Sequence, residues 1–313
     1  MADYPGGTRF WRMARSMHAN DNPDKKQKRC GWGFEGAAMN ATSFPYFVSA
    51  NDADVAVILG TNEIASALAV KLRKSGYHVI LSHEPCPPVL RRGMAFDDAL
   101  YDDPCELEGV SARRAEDAVH LAEIAAEPAC VAVTPLHLSD LLALRRIQVL
   151  IDARLKPTSA TPDYRRYVGL SVGLGGHFIV GENCDLTFEA APAYCAALNH
   201  CNVRQPCESG DAPDDPAFAV APGRGVWHTA LDIGATVTSG DLLGRIGEFS
   251  VRARLDGVLV GLVRDGLALP EGSPLAEIAK GKTAARGLDP HAKILAKAAL
   301  TAIKGAAKRR APK

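Results

Sequence analysis

Four groups of residues in this chain are of types, and at spacings, that could do chemistry. The first is Gly60-Thr-Asn-Glu-Ile-Ala-Ser, where an apolar run ends and a helical pattern begins. A dinucleotide fingerprint uses glycines here for a tight turn and for close approach of the backbone to a pyrophosphate, with the helix amino terminus facing the anion. Only Gly60 survives of those glycines; Asn62 and Ser66 stand where others would be. Asn62 tolerates a left-handed backbone, so the turn is feasible. Glu63 sets a negative charge beside a bound phosphate, and Glu84, about 20 residues on, stands where a ribose-binding acid would. Two readings stay open, a nucleotide site and a retained fold without tight cofactor binding.

The second group is the polar residues at predicted strand ends: Glu84, Arg91, Arg92, Asp152, Arg154 and Lys156. Ligands of open parallel sheets sit outside the carboxyl ends of the strands, so Glu84 and Asp152 with their following cations could line one crevice. Arg91 and Arg92 suit a phosphate-like anion; surface ion pairs fit equally. The third group is Cys184, Cys195, Cys201 and Cys207, with His200 between them. Four thiols could hold Zn²⁺ or an iron–sulfur cluster, but the C-x₂-C pairs that mark such sites are absent, and independent thiols in a loop are the plainer reading. Cys86 and Cys130 read as structural, while a sulfur-handling thiolate is conceivable at Cys184 or Cys86. The fourth is a lysine that is missing. From Gly225 a 32-residue repeat aligns Gly225 with Gly257, Gly234 with Gly266, Gly240 with Gly272 and Ile246 with Ile278. Two such units closing on each other build the small β-sandwich of biotinyl and lipoyl carriers, whose joining hairpin presents a lysine. Here Gly247–Gly257 carries Arg252 and Arg254 and no lysine, which excludes biotin and lipoate.

The elements that must position these residues follow from pattern. Asp54–Gly60 is a short apolar β-rich run ending in glycine, Asn62–Gly76 carries apolar residues four apart, and Tyr77–Pro85 is a second strand, which together make a βαβ unit and imply a parallel sheet. Arg113–Glu127 reads as a helix, Cys130–Pro135 as a strand, a helix opens near Ser139, and Val149–Arg154 is a strand. The fold class expected is therefore α/β, a Rossmann-like doubly wound parallel sheet followed by a small all-β barrel-sandwich hybrid domain. The divisions are a poorly ordered extension at 1–52, the Rossmann-like domain at 53–157, and an interdomain segment with the cysteine loop at 158–222. The repeat domain occupies 223–283, and a helix with a basic tail 284–313, its apolar stripe falling on Ile294, Leu295, Ala298, Ala299 and Ile303.

The 313 residues are 47% hydrophobic and balance 36 Lys and Arg against 36 Asp and Glu, so the chain can bury a core and has no net field for nucleic acid or an acidic membrane. Its longest apolar runs are too short to span a bilayer. The first 30 residues lack an apolar leader core, and eight cysteines without one read as thiols of a reducing cytoplasm. Hydrolase-elbow, zinc-helix and P-loop motifs are absent.

These pieces resemble the YqeB-like family of accessory proteins of the selenium-dependent molybdenum hydroxylase system. The resemblance is carried by Gly60 with Ile64, Ala65 and Ser66; Glu84-Pro85; Arg91-Arg92; Ala95-Phe96 with Ala99 and Tyr101; Glu108-Gly109-Val110; Asp152-Ala153; Gly169-Leu170 with Gly173; and Asn183-Cys184-Asp185. It implies a role in maturing or supporting a molybdenum hydroxylase. On that reading the protein binds an anionic ligand, a molybdopterin-type cofactor or a nucleotide, at Gly60, Asn62, Glu63, Glu84, Arg91, Arg92 and Asp152, and docks on the hydroxylase subunit, with a homo-oligomer also open. The competing reading is an NAD(P)-dependent oxidoreductase using the same crevice.

Overall fold

The computed structural model describes residues 54–85, 87–155, 161–189, 215–281 and 283–310. The expected amino-terminal extension, Cys86, Lys156 and the loop holding Cys195, Cys201 and Cys207 lie outside these residues.

Adjacent residues of Val-Ala-Val-Ile-Leu must both be buried, because strand β1 (Val55–Leu59) runs through the middle of a sheet covered on both faces. Helix α1 (Glu63–Arg73) leads to β2 (His78–Ser82), and a pair of short 3₁₀ turns, Arg92–Met94 and Asp97–Tyr101, leads to the hairpin β3 (Cys105–Leu107) and β4 (Val110–Arg114). Then follow α2 (Ala118–Ala126), β5 (Cys130–Thr134), α3 (Leu138–Leu144), β6 (Val149–Asp152), β7 (Leu170–Leu174) and β8 (Leu186–Phe188). The spatial order is β3-β4-β5-β2-β1-β6-β7-β8, and every neighbour pair is parallel except the β3–β4 hairpin at one edge.

Two expectations are corrected here. Arg113 and Arg114 belong to a strand paired with Ala132 and Val133, and the helix begins only after Asp117, whose carboxylate caps it by accepting from Val119 N and His120 N. The sheet also runs past residue 157, since β7 and β8 come from the segment read as interdomain. The glycine of Gly169 makes that joint possible, because a Cβ there would lie 2.6 Å from the Gln148 carbonyl.

One face of the sheet (Ala56, Ile58, Leu81, Val131, Ile151) packs on α1 and on the final helix α4 (Pro290–Arg310). The other face (Val55, Val57, Ile80, Ala132, Leu150) packs on α2 and α3. The period-2 alternation of strand side chains makes this two-sided burial. The buried stripe of α4 is Ala292, Ala296, Ala299, Ile303 and Ala306, whereas Ile294 is 70% exposed. The stripe keeps Ala299 and Ile303 of the one expected but takes Ala292 and Ala296 in place of Ile294, because small alanines let α4 lie close along α1.

The repeat half contributes two four-stranded sheets. Its strands are β9 (Phe218–Val220), β10 (Gly225–His228), β11 (Thr236–Val237), β12 (Leu242–Ile246), β13 (Phe249–Arg252), β14 (Gly257–Leu262), β15 (Ala268–Leu269) and β16 (Pro274–Ala279). The sheets run β13-β12-β10-β15 and β11-β14-β16-β9. The 32-residue repeat becomes geometry: β11 of the first unit pairs with β14 of the second, and β15 of the second pairs with β10 of the first. Each unit lends its short strand to the other, so neither can close its core alone. Trp227, fully buried at that core, donates its indole N–H to the Val263 carbonyl. No helix among the described residues is long and apolar enough to cross a membrane.

Candidate functional site

β1 and β6 are neighbours whose following connections leave in opposite directions, so the carboxyl ends of these strands form the switch point where open α/β sheets bind ligands. Polar residues accumulate there although they are buried: Thr61, Ser82, Asp97, Thr134 and Asp152. Buried polar groups need partners, and tracing those partners defines four networks.

The first closes the start of α1. Gly60 sits at φ +105°, its N–H donating to the Ser82 carbonyl, and a Cβ on it would lie 3.2 Å from the Ala153 carbonyl oxygen. Asn62 is the N-cap: its Oδ1 accepts from Ile64 N at 3.1 Å and Ala65 N at 2.9 Å, while its Nδ2 donates to the Ala153 carbonyl at 2.8 Å. The amides that a dinucleotide's pyrophosphate would use are thus occupied by the protein's own side chain, and the turn lies against the next strand's backbone.

The second network joins the two halves of the molecule. Glu63, one residue into α1, is buried, and burial pushes its carboxyl up to about 7, with the Arg91 guanidinium partly opposing that rise. Arg91 forks onto Glu277 of β16 with Nε–Oε2 2.7 Å and Nη2–Oε1 2.6 Å, and reaches Asp289 Oδ2 at 3.3 Å. Asp289 in turn caps α4 by accepting from Ala292 N. Arg92 donates through Nε to the Leu262 carbonyl of β14 and through Nη1 to both oxygens of Asp98. Arg264, from the repeat half, binds Asp98 and Asp103 and lies 4.0 Å above the Tyr101 ring. Leu262 N also donates to the Leu90 carbonyl. The Arg91-Arg92 pair expected to hold an anion therefore clamps the repeat half onto the segment that follows β2.

The third network is Glu84, Asp152 and Arg154. Arg154 binds Asp152 through Nε at 3.0 Å and Nη2 at 2.6 Å, and approaches Glu84 Oε2 at 3.5 Å. The Asp152 hydrogen bonds hold the guanidinium more firmly charged than usual. These residues were expected together and the structure brings them together, with the cation already matched to its carboxylates.

The fourth network was not read from the sequence. Thr61 Oγ1 donates to Asp97 Oδ1 at 2.5 Å, and the His83 ring, which follows β2, places Nδ1 3.4 Å from the same oxygen. Ser66 holds this arrangement, its hydroxyl donating to the Thr61 carbonyl and accepting from Phe96 N. The available signal is position: His83 directly follows β2, Thr61 stands two residues past the end of the adjacent β1, and Asp97 starts a 3₁₀ turn.

Cys184 is fully buried and its thiol is pushed up by burial, the opposite of a reactive thiolate. The other three cysteines proposed with it lie outside the described residues. Among those residues no group of three or more His, Cys, Asp or Glu side chains is arranged to hold a metal.

No known family model matches the chain. Among solved structures it resembles the ectoine utilization protein EutE (DoeB) from Ruegeria pomeroyi, 13% identical over 73% of this chain and 87% of that one with a TM-score of 0.23. It also resembles an aspartoacylase family protein from Mesorhizobium loti, 9% identical over 74% of this chain and 86% of that one, also at 0.23. At these scores the likeness carries no argument. The sequence is 28% identical over 242 residues, 73% of this chain, to the uncharacterized protein YqeB of Escherichia coli (strain K12), and it spans 43% of that protein's length. Over that stretch the chain is similar to YqeB.

Proposed function

We propose that this protein is an accessory factor of a molybdenum hydroxylase, holding a small anionic pterin-type ligand at the carboxyl end of the sheet and docking on the enzyme through its repeat half. The repeat half is read as a barrel-sandwich hybrid of the biotinyl and lipoyl kind that has become a fixed part of the molecule. One observation carries this reading. The repeat half, which has no lysine from Gly223 to Ala279, is held to the sheet half by the Arg91 fork on Glu277 and Asp289 and by the Arg92 bond to Leu262. A swinging carrier needs a free tip bearing an amine; a docking module needs a fixed orientation, which bidentate arginine pairs supply.

The oxidoreductase reading loses support at α1. A nicotinamide dinucleotide needs helix amides for its pyrophosphate, and Asn62 occupies those of Ile64 and Ala65. Glu63 adds a carboxyl group at the same helix start.

Native mass spectrometry of the full chain purified from its own host tests the proposal. A bound pterin mass, and co-purification of a hydroxylase subunit, are the expected results. A bound dinucleotide, or saturable NAD(P)H binding with turnover of a carbonyl substrate, would replace the accessory reading with the oxidoreductase one.

A further inference from the structure

We infer that His83 is a proton-transfer residue, oriented by Asp97 and Thr61, that accepts a proton from an ionisable N–H or O–H of a small ligand seated at the carboxyl ends of β1 and β2. The inference shares with the proposed function only the seat of the ligand. It does not depend on molybdenum, on a pterin or on a partner enzyme.

Three features carry it. Asp97 is 4% exposed, and a buried carboxylate is costly unless its oxygens are bonded. Its partners are the Thr61 hydroxyl, itself 2% exposed, and His83 Nδ1. Thr61 uses its single proton on Asp97, so it has none to give His83. The Nδ1 side of the ring faces a carboxylate oxygen at 3.4 Å and a hydroxyl oxygen at 3.5 Å, both acceptors toward it. The proton of a neutral imidazole therefore belongs on Nδ1, which leaves the lone pair on Nε2. This is the logic of an acid holding a histidine in one tautomer so that its far nitrogen can act as a base. Catalytic hydrogen bonds are often long before a ligand is bound.

The second feature is access. The His83 side chain is 20% exposed while its supports are buried, and Nε2 makes no hydrogen bond to any described residue. The third is anchoring. His83 N donates to the Thr134 carbonyl at 2.8 Å, continuing the β2–β5 ladder, and Asp97 follows Phe96, whose N–H is held by Ser66 of α1. The dyad stands on strand ends and a pinned turn, so its geometry does not depend on a mobile loop.

In the transfer the ligand's N–H or O–H bond breaks, its electron pair stays on the ligand, and the proton bonds to Nε2. The imidazolium that results is stabilised by Asp97, which stays ionised. The proton returns to the ligand or to solvent when the ligand leaves. The substrate class is thus a small molecule with an acidic N–H or O–H, such as a lactam, an enol or a protonated heterocycle.

Diethyl pyrocarbonate is a probe that needs no knowledge of the ligand, because the free Nε2 lone pair attacks its carbonyl and an ethyl carbonate group leaves. With the full chain, acylation mapped by peptide mass should be rapid at His83 relative to His177, an exposed histidine away from this network. In Asp97→Leu the Thr61 proton is released toward Nδ1, which moves the ring proton to Nε2; His83 acylation should fall about tenfold or more, while Asp97→Asn, which keeps an acceptor, should fall about threefold. His177 should not change in either variant. Nitrogen NMR of the wild-type ring decides the matter even where a variant fails to fold: the Nδ1–H tautomer supports the inference, and the Nε2–H tautomer or an unreactive His83 overturns it. Absence of a pterin in the purified protein leaves all of these readings intact, so the two proposals can fail separately.

Discussion

The two ends of the parallel sheet handle charge in opposite ways. At the carboxyl end, Arg91, Arg92, Arg154 and Arg264 each bind carboxylates, and all four reach across to tie elements far apart in sequence. At the amino end, Arg73 spends its guanidinium on main-chain carbonyls of Tyr77, Ala125 and Glu127. Arg73, Arg145 and His78 line a cavity of about 20 Å³ with Val55, Leu121, Ile124 and Cys130, and no carboxylate is among its walls. Arg73 Nε and His78 Nδ1 find no hydrogen-bond partner among the described residues. One end is a clamp of paired charges, the other a pocket lined by basic side chains. Their pH responses should therefore have opposite signs, and that contrast can be broken or sharpened one residue at a time.

The largest effect is expected at the clamp. Removing one member of a buried ion pair strands its partners, so Arg91→Ala, which leaves Glu277 and Asp289 facing each other, should lower unfolding free energy by about 4 kcal/mol in urea melts. Replacing the Arg91–Glu277 pair by Met and Leu should recover much of that loss, because an apolar pair leaves one fewer stranded charge. A loss below about 1 kcal/mol for Arg91→Ala would make this a surface pair in energetic terms and remove the clamp from the comparison.

Next comes Glu63. Its carboxyl is pushed from 4.5 to about 7 by burial. The native state therefore holds a proton that the unfolded chain has already released between those pH values. Stability from this group is full below 4.5, falls as pH rises through the window, and is level above about 7. The gap corresponds to up to about 3 kcal/mol. Glu63→Gln, which mimics the protonated form, should flatten stability between pH 5 and 8 and leave the variant more stable than the wild type at pH 8. Equal slopes in the two proteins would mean that Glu63 titrates elsewhere. Asn62→Ala, which removes the cap of α1 and the bond to Ala153, should cost about 1 to 2 kcal/mol with no change in pH slope.

How much of this was open to reading follows from the range of each interaction. The βαβ start, the 32-residue repeat and the placement of Glu84 and Asp152 at one end of the sheet's strands are local or periodic, and a sequence displays such features directly. Glu84 and Asp152 meet because each ends or follows a strand, and strand ends are legible. Arg91 and Glu277 are 186 residues apart, and nothing periodic links them. The type of Arg91 suggested an anion correctly; the anion is a carboxylate of the same chain. Nothing in the sequence marks His83 beside Glu84, and only the fold brings Thr61 and Asp97 to it. The edge hairpin of β3 and β4 was missed because Arg113 and Arg114 suit a helix as well as a solvent-facing edge strand, and pairing with β5 decides between them. The stripe of α4 is misplaced in part for a related reason: periodicity ranks Ile294 above Ala292 and Ala296, whereas close approach to α1 favours the smaller residue, and Ala299 and Ile303 are buried as expected.

The smallest expected effect tests the amino end. The His78 imidazole is held below the usual histidine range by burial first and then by the Arg73 and Arg145 charges, with a hydrogen bond to Ala125 opposing them. A depressed histidine keeps the native state neutral while the unfolded chain takes up a proton, so stability is lost as pH falls below about 6.5. In the wild type this loss is masked, because Glu63 gains stability over the same interval. The Glu63→Gln background removes the mask. There, chemical denaturation at pH 7.5 and 5.5 should show a lower stability at the acid end, and adding His78→Phe should reduce that difference. At pH 7.5 the second substitution should change stability by no more than about 1 kcal/mol, since it gives up one neutral hydrogen bond and removes an orphan acceptor. An acid-side loss that survives His78→Phe would assign it to carboxylates at the clamp, and the two ends of the sheet would then differ in their partners but not in the sign of their response to pH.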